Sequence, residues 1–439
     1  MAGRLSFERL RAIVIATAAQ LPDQRTGQNT QYAIADAALS AFAMFYLQAP
    51  SFRTYERDGQ RAHGRTNVAQ LFGVEQAPSA PQTRNLLDPV PPSQLAAPFW
   101  HIFDQLRLGA YLRAYQGGFT PWLISFDGSH YFHSQRIHCA QCNETVLNGQ
   151  PHYAHTVVAP VLVAPGQPEV LVLEPEFITP QDGQAKQDCE LRAAERWLKR
   201  QATRFAPGSV TYLADDLYCH QPFCELVVAQ QQHFAFTCKP ESHPTLYTEV
   251  ALLAKIGGVH EYTERCRVAG RLQVWHYRYV NQVPLRAEPP VFAVNWCEVT
   301  ITSAATGEQL YYNAWATDQT LAETKLRRFV QSARSHWKHE NEGHNVLKHR
   351  GYHLTHNFGH GAHYLAQVLL LLNLLAFLVH TALTFCDETY QAVRANLGAR
   401  STFFDDLRAL LRYWDFDTWP ALLTFMKTQL ERAPNPAGP

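Results

Sequence analysis

The chain has 439 residues, of which 46% are hydrophobic and 17% are charged. This composition excludes an intrinsically disordered protein, and the length exceeds what one hydrophobic core normally serves, so several domains are expected. Basic and acidic residues number 38 each, so an anionic partner must be bound by a local basic patch and not by the charge of the whole molecule.

The cysteines and the apolar segments indicate the compartment. The nine cysteines are an odd number spread over a long chain, which favours free thiols in a reducing cytoplasm. The N-terminal segment lacks the apolar core and the cleavage site of a secretory signal. Residues 368–383 are strongly apolar, but this segment is shorter than a typical span and contains Asn373 and His380. It therefore predicts a buried core helix, and no membrane partner.

The order of the predicted elements indicates the fold class. Residues 1–115 are predicted to be mainly helical, and "AIADAALSAFAMFYLQA" (33–49) is apolar on all sides, as in a helix buried in a bundle. The proline-rich stretch 79–94 predicts a loop. From Trp122 the pattern changes. The predicted elements are then a strand at 122–127, a hairpin of 155–163 and 169–175, a helix at 185–205, and strands at 209–218 and 233–240.

The sequence therefore predicts an α/β fold with a mixed sheet flanked by helices. Its segments are a helical N-terminal region (1–115), the first part of the sheet core (116–244), a β-rich insertion (245–318), the second part of the core (319–385), and a helical C-terminal region with a disordered tail (386–439).

Two glutamates, Glu340 and Glu342, lie in a helix predicted over 319–350. Residues three and four apart share a helix face, and the face of Glu340 is otherwise apolar except for one histidine. It consists of Leu326, Val330, Ala333, Trp337, Glu340, His344 and Leu347. Glu342 lies about 200° further round, on a polar face. Glu340 is therefore predicted to point inward, either in a buried ion pair with Arg or Lys or toward a bound cation.

Aspartates at the tips of two predicted strands favour the cation. Asp127 ends the strand at 122–127. The strand predicted in the stretch 209–218 runs into two aspartates, and Asp215 ends it directly, ahead of Asp216. An aspartate in such a position is often only a turn residue. Two of them with an inward glutamate predict a site for a hard cation such as Mg²⁺, which prefers oxygen ligands and activates attack on phosphodiesters.

These residues resemble the three acidic motifs of the DDE transposases of bacterial insertion sequences. The motifs are "FDG" (126–128), "LADDLY" (213–218) and "HWKHENEGHNVLK" (336–348), and the third matches an "RW-x-IE" signature at Trp337 and Glu340. The phrases "FITPQDGQAKQDCELRAAERWL", "FTCKPESHPTLY" and "GYHLTHNFGHG" strengthen the resemblance, which covers roughly residues 65–385.

The resemblance implies a ribonuclease-H-like fold and a catalytic triad of Asp127, Asp215 and Glu340 that binds Mg²⁺ or Mn²⁺. The implied activity is cleavage and strand transfer of the DNA ends of a mobile element, in a nucleoid-associated, cytoplasmic setting in bacteria. The implied partners are double-stranded DNA, namely terminal inverted repeats and target DNA, and a second copy of the chain, since synapsis of two ends requires a homodimer. Residues 1–115 are then expected to bind DNA ends or to support dimerisation.

Several positions depart from the family pattern. His336 and His339 occupy positions where these enzymes usually have Arg and Ile, Ala333 replaces a Tyr, and Lys348 lies one residue beyond the common spacing. These departures keep two alternatives open. One is a transposase-derived DNA-binding protein without catalytic activity, and the other is a metal-dependent nuclease without strand transfer.

A separate zinc site is predicted in "HCAQCNETVLNGQPHYAH" (138–155), where a C-x-x-C pair precedes two histidines. Zinc favours four tetrahedral sulfur and nitrogen ligands, and this segment offers Cys139, Cys142, His152 and His155. The alternative is a loop with unpaired thiols.

A run of basic residues and histidines surrounds Glu340, and beside a phosphodiester site such a surface can cradle phosphates. The predicted DNA-binding residues are Arg334, His336, Lys338, His344, Lys348 and Arg350. Trp296 and Trp315, in or near the β-rich insertion, either stack on an unpaired base at a DNA end or pack within the sheet.

Overall fold

The computed structural model describes residues 5–27, 30–180 and 188–432, so the predicted C-terminal tail lies outside the described residues. The helices are α1 (Phe7–Ala18), α2 (Ile34–Tyr46), α3 (Phe52–Gly59), α4 (Ala62–Phe72), α5 (Ala80–Leu87), α6 (Ala97–Leu108), α7 (Glu190–Gln201), α8 (Gln221–Ala229), α9 (Pro244–Lys255), α10 (Glu323–Arg334), α11 (Asn345–His349), α12 (Leu365–Cys386), α13 (Glu388–Leu397), α14 (Arg400–Tyr413) and α15 (Trp419–Arg432). A π-helix spans His339–His344.

The strands are β1 (Trp122–Ser125), β2 (Gly128–Ser134), β3 (Asn143–Leu147), β4 (Gln150–Val158), β5 (Val161–Val163), β6 (Leu171–Val172), β7 (Glu176–Ile178), β8 (Val210–Ala214), β9 (His233–Thr237), β10 (His260–Val268), β11 (Arg271–Pro284), β12 (Ala293–Ser303) and β13 (Gln309–Thr317).

A mixed sheet flanked by helices forms the centre of the molecule, so the predicted α/β class is confirmed. Within the described residues, nine strands follow the order β10-β11-β12-β13-β9-β8-β1-β5-β6. β1, β8 and β9 run parallel to one another, whereas β5 is antiparallel to β1 and β13 is antiparallel to β9. Every residue of β1 and β8 is buried, as expected for parallel strands covered on both faces.

The register of β1 and β8 brings two of the acidic motifs to one edge of the sheet. Ser125 pairs with Leu213 in the parallel ladder, and the next amide, that of Phe126, donates to the Leu213 carbonyl at 2.8 Å. Asp127 and Asp215 each lie two residues beyond this pair. Both aspartates therefore leave neighbouring strands at the same carboxyl edge.

The segment predicted as a β-rich insertion, 245–318, contains most of α9 and the meander β10–β13. β13 pairs with β9 through Trp315 and Thr237, so the meander extends the central sheet. A second, smaller sheet of β2, β3 and β4, with β7 paired to β4, begins directly after Asp127.

The helices at the two chain ends pack around α2 and α12. Phe7 of α1 stacks on Trp419 of α15 with ring centroids 4.7 Å apart, and Tyr46 of α2 lies 4.3 Å from His380 of α12. α12 has the length and the hydropathy of a membrane-spanning helix, but 89% of its most apolar stretch is buried inside the protein. The prediction of a buried core helix is therefore confirmed.

Two of the helix boundaries differ from the predictions. Within the predicted loop 79–94, α5 forms because Ser79 and Gln82 make a capping box around its first turn. The helix predicted over 319–350 is interrupted, since α10 ends at Arg334 and a turn and the π-helix follow. Trp337, assigned to the apolar face, is 69% exposed because the interruption changes the helical phase.

Candidate functional site

Asp127 and Glu340 meet at the carboxyl edge of the sheet, with His344 between them. His344 Nδ1 lies 3.3 Å from Asp127 Oδ2 and 3.3 Å from Glu340 Oε2. One ligand-type atom of each of the three side chains lies within 4.8 Å of the other two. The side chain of His344 is 3% exposed, whereas those of Asp127 and Glu340 are 31% and 44% exposed. The site is therefore closed on the imidazole side and open to solvent on the carboxylate side.

The π-helix explains how this arrangement fits the sheet. Its wide turn aligns residues five apart, and the rings of His339 and His344 lie 4.7 Å from each other in the buried interior. Both imidazoles thus fill the space above the strands, while Glu340 remains at the solvent side. π-helical turns are rare and occur frequently at functional sites.

Histidines around Asp127 favour its ionised form. Burial alone raises the pKa of Asp127, but the hydrogen bond from His344 and the positive charges that His339 and His336 carry when protonated outweigh it and lower the pKa to about 2. Burial lowers the pKa of His336 and, much further, that of His339. At neutral pH, where His336 and His339 are neutral, the hydrogen bond from His344 remains the contact that favours the anionic form of Asp127.

Asp215 is the aspartate of the adjacent pair that interacts with Asp127. Partial desolvation raises the pKa of Asp215, as do the negative charges of Asp127 and Asp216, although the Leu217 amide donates to its Oδ1 at 3.0 Å. Asp216 instead accepts from the Lys239 amide at 2.7 Å and from the Ser242 hydroxyl. The loop between β9 and α9 therefore holds Asp216, and Asp215 remains at the edge beside Asp127.

A fourth carboxylate, Glu190, lies beside these residues. It is the first residue of α7, and its Oε1 accepts from the Tyr218 hydroxyl at 2.8 Å. Burial raises the pKa of Glu190, and so do the negative charges of Asp127 and Asp215. A Cβ placed on Gly128 would lie 2.3 Å from Glu190 Oε2. Glycine directly after Asp127 therefore provides the room that this carboxylate occupies.

Ser125, at the end of β1, connects the sheet to the segment that carries Glu340. Its hydroxyl lies 2.7 Å from His336 Nδ1 and 3.2 Å from His339 Nδ1. His339 is buried, and His336 is partly buried. These contacts fix the segment at a point two residues before Asp127, so the positions of Asp127 and Glu340 depend on each other.

A cleft of about 1140 Å³ lies beside the site, between the meander and the segment 333–342. Arg334 lies over the Tyr311 ring at 4.2 Å from its centroid, and Lys338 donates to the Gln167 carbonyl at 2.6 Å. Arg334, His336 and Lys338, three of the predicted DNA-binding residues, line this cleft together with the exposed Trp337. The cleft therefore offers cationic and aromatic groups to a large ligand.

The other predicted nucleic-acid contacts are placed differently. His344 is too deeply buried to reach a phosphate and instead contacts Asp127 and Glu340. Lys348 is half-buried, and its charge contributes to lowering the pKa of His130, near the start of β2. Arg350 is exposed just beyond α11. Trp296 and Trp315 are 0% and 1% exposed, so they pack within the sheet and the stacking alternative is excluded.

A second cluster, which we call the thiol–imidazole cluster, consists of Cys139, Cys142, His155 and His360. Three of the four predicted zinc ligands, Cys139, Cys142 and His155, belong to this cluster, but the fourth, His152, does not. In a strand, successive side chains point to opposite faces, and His152 and His155 of β4 are three residues apart. His152 therefore lies on the other face, with Nδ1 2.9 Å from His133 Nε2, and His360 takes its place.

The comparisons with known proteins do not name a relative. No protein-family model matches the chain, and no curated protein sequence is significantly similar to it.

Proposed function

We propose that the protein is a DNA transposase that cleaves and joins DNA ends with divalent metal ions, using Asp127, Asp215 and Glu340. The observation that carries the proposal is the convergence of these carboxylates, which are distant in sequence. Asp127 and Glu340 approach the same histidine nitrogen at 3.3 Å each, and Asp215 leaves the neighbouring parallel strand at the same edge.

The strand order supports a ribonuclease-H-like core for this activity. Along the chain, β1, β5 and β6 form an antiparallel unit, and β8 and β9 then continue parallel on the other side of β1. Such a core places one acidic residue after its first strand and one after the strand that pairs with it. Asp127 and Asp215 occupy these two positions, and the third carboxylate comes from a later helix.

The π-helix also supports the resemblance to the third acidic motif. Lys348 lies one residue beyond the spacing that is common in the family, which in a regular helix would rotate it by about 100° away from Glu340. A π-helical turn between Glu340 and Lys348 absorbs one extra residue. Lys348 therefore returns to the side of the helix that Glu340 occupies, and its influence on His130, just beyond Asp127, agrees with this placement.

Oxygen ligands favour magnesium in this proposal. Asp127 and Glu340, whose ligand oxygens lie within 4.8 Å of each other, would supply two of them, and Asp215, whose pKa the charge of Asp127 raises, would supply the third. Mg²⁺ and Mn²⁺ prefer such ligands, and a cation would relieve the repulsion between the carboxylates. When bound, such ions stabilise charge on phosphate oxygens and increase the acidity of an attacking water or 3′-hydroxyl.

The neighbouring residues position the triad. His344 holds Asp127 and Glu340 at a fixed separation, as an imidazole behind two ligands typically does. The low pKa of Asp127 keeps this carboxylate ionised throughout the neutral range. Arg334 and Lys338 can hold the DNA backbone along the cleft, and residues 1–115 are proposed to contribute DNA-end binding or dimerisation.

An end-cleavage assay tests the proposal. The DNA substrate is a fragment that carries the sequences flanking the reading frame, in which the proposal expects short inverted repeats, and the wild-type chain is expected to nick and join these ends only with Mg²⁺ or Mn²⁺. Glu340→Gln should abolish cleavage because it removes a charged ligand from the site. Glu342→Gln, which removes the same charge two residues away from a side chain outside the triad, is the matched control and should retain most of the activity.

The outcomes separate the alternatives. Binding of the ends without cleavage by the wild type indicates a transposase-derived DNA-binding protein, which the replacement of Arg by His336 favours. Cleavage without joining indicates a nuclease. Equal loss of activity in Glu340→Gln and Glu342→Gln would contradict the assignment of the site.

A further inference from the structure

The thiol–imidazole cluster gathers four side chains from three separate parts of the chain. Cys139 and Cys142 come from the loop between β2 and β3, His155 from β4, and His360 from the segment between α11 and α12. The Cys142 amide donates to the Cys139 carbonyl at 3.1 Å, which forms a tight turn around the two thiols. His360 is 218 residues beyond Cys142 in sequence.

The distances between these atoms are those of a tetrahedron. The two sulfur atoms are 4.0 Å apart, Cys139 Sγ and Cys142 Sγ are each 3.5 Å from His155 Nε2, Cys142 Sγ is 3.4 Å from His360 Nε2, and the two Nε2 atoms are 3.1 Å apart. Tetrahedral zinc with two sulfur and two nitrogen ligands requires edges of about 3.8 Å (S···S), about 3.6 Å (S···N) and about 3.3 Å (N···N). The observed edges follow the same order and differ by about 0.2 Å.

The surroundings are those of a structural metal site. Cys142, His155 and His360 are 6%, 1% and 8% exposed, and Phe132 packs against both imidazoles with ring centroids 5.6 Å and 4.5 Å away. His360 Nδ1 lies 3.0 Å from the Gly361 carbonyl, a partner that orients the ring so that Nε2 faces the cluster. All four positions of a tetrahedron are filled by protein atoms, which leaves none for a substrate.

We propose that Cys139, Cys142, His155 and His360 bind one Zn²⁺ ion, which clasps the small sheet after Asp127 to the segment after Glu340. β2 begins at the residue after Asp127, and His360 follows the π-helix and α11. The small sheet and the segment after Glu340 both flank the carboxylate site. An ion that joins them therefore fixes the position of Asp127 relative to Glu340. The inference does not depend on the proposed transposase activity.

Metal analysis of the purified full-length chain tests the clasp. After growth with zinc and exhaustive dialysis, the wild type is expected to contain one more equivalent of zinc per chain than His360→Ala or Cys142→Ser. His152→Ala, which changes the histidine that shares β4 with His155 but lies on the other face, is the matched control and should keep the wild-type content. This difference in content is independent of any metal bound elsewhere, including by the separate group of Cys219, Cys238 and His243.

Two further measurements do not require the alanine variants to fold. Co²⁺ bound in place of zinc should give the visible bands of a tetrahedral site with two thiolates, and His360→Cys should change these bands because a third thiolate replaces an imidazole. Removal of zinc with a strong chelator should lower the melting temperature of the wild type, since the ion closes a loop of about 220 residues.

Three results would overturn the proposal. The first is a wild-type chain that contains no zinc and has Cys139 and Cys142 in a disulfide. The second is a zinc content that His360→Ala leaves unchanged while His152→Ala lowers it. The third is a cobalt spectrum that is identical in the wild type and in His360→Cys.

Discussion

The carboxylate site and the thiol–imidazole cluster lie on the same two stretches of chain but have opposite character. Asp127 and Glu340 offer oxygen atoms and are 31% and 44% exposed, whereas three of the four residues in the sulfur and nitrogen set are buried and Cys139 is partly buried. Hard, exposed ligands suit an exchangeable Mg²⁺ ion, and soft, buried ligands suit a permanent Zn²⁺ ion. The two proposals therefore assign one ion to the chemistry and the other to the geometry that this chemistry needs.

The variant Asp127→Asn is the strongest test that the carboxylate site and the thiol–imidazole cluster have separate roles. Loss of a ligand charge at the carboxylate site should reduce metal-dependent DNA cleavage by more than about 100-fold, since even the residues behind metal ligands change activity by about 10- to 100-fold. The zinc content of the variant should equal that of the wild type. Asp104→Asn, on the surface of α6, is the control for loss of an aspartate charge. A loss of zinc in Asp127→Asn would show that the two sites are not separable.

His344→Asn should have the next largest effect, a decrease in cleavage of about 10- to 100-fold. The asparagine amide can donate from a similar position, but it lacks the ring that packs against His339, so the separation of Asp127 and Glu340 is no longer fixed. Because the ligands themselves remain, the measurement is a magnesium titration, which should show a higher half-saturating concentration. His349→Asn, exposed on α11, should titrate like the wild type, and an unchanged titration in His344→Asn would argue against a positioning role.

Gly128→Ala should lower cleavage by about tenfold, because small displacements of catalytic groups are costly. The added methyl group would meet Glu190 Oε2 at 2.3 Å, so the Glu190 carboxylate, which interacts with Asp127 and Asp215, must shift. The double variant Gly128→Ala/Glu190→Asp, with a shorter acidic side chain, should recover part of the activity. Glu190→Asp alone completes the comparison. If the double variant loses as much activity as the two single variants lose together, Glu190 and Gly128 act independently.

The smallest predicted effect concerns stability, away from both sites. Burial lowers the pKa of His380 on α12 far below its usual value, so this imidazole is neutral in the folded state. The unfolded chain protonates it below a pH of about 6.5, which favours unfolding as the pH falls further. His380→Asn keeps a partner for the Tyr352 hydroxyl, 2.6 Å away in the wild type, but cannot titrate.

Urea unfolding at several pH values measures this contribution. Below a pH of about 6.5, the free energy of unfolding of the wild type should fall more steeply than that of His380→Asn, by at most about 1.4 kcal/mol per pH unit. Equal slopes in the two proteins would mean that His380 does not remain neutral in the folded state.

Several features of the fold follow from local sequence patterns. The strands that precede Asp127 and Asp215 are short apolar runs, and both are found within the predicted ranges 122–127 and 209–218, although β1 ends at Ser125 and β8 at Ala214. The apolar segment that became α12 was recognisable because Asn373 and His380 suit a protein interior better than a lipid bilayer. Such patterns are predictable because they depend on which residues are buried, and the tendency to be buried follows directly from the residue type.

Long-range geometry was less predictable. Closeness in sequence to the C-x-x-C pair predicts His152 as a ligand, and no sequence signal points to His360, which is 218 residues beyond Cys142. The alternation of side chains along a strand already separates His152 from His155. Trp337 was assigned to the interior because a regular helical repeat was assumed, and the π-helix breaks that repeat. Glu190 lies in one of the phrases that strengthen the resemblance but outside the three acidic motifs, and only its closeness to Gly128 and Tyr218 reveals its place beside Asp127 and Asp215.

The packing of α2 against α12 has a consequence for how the protein is made. Tyr46 contacts His380, more than 300 positions later in the chain, so α2 emerges from the ribosome long before its partner exists. The apolar surface of α2 that packs against α12 therefore stays exposed during most of translation. This exposure makes the nascent chain prone to aggregation and to binding by chaperones. A product that stops before α12 would leave the side of α2 that faces α12 permanently exposed, and we expect such a truncated chain to be degraded.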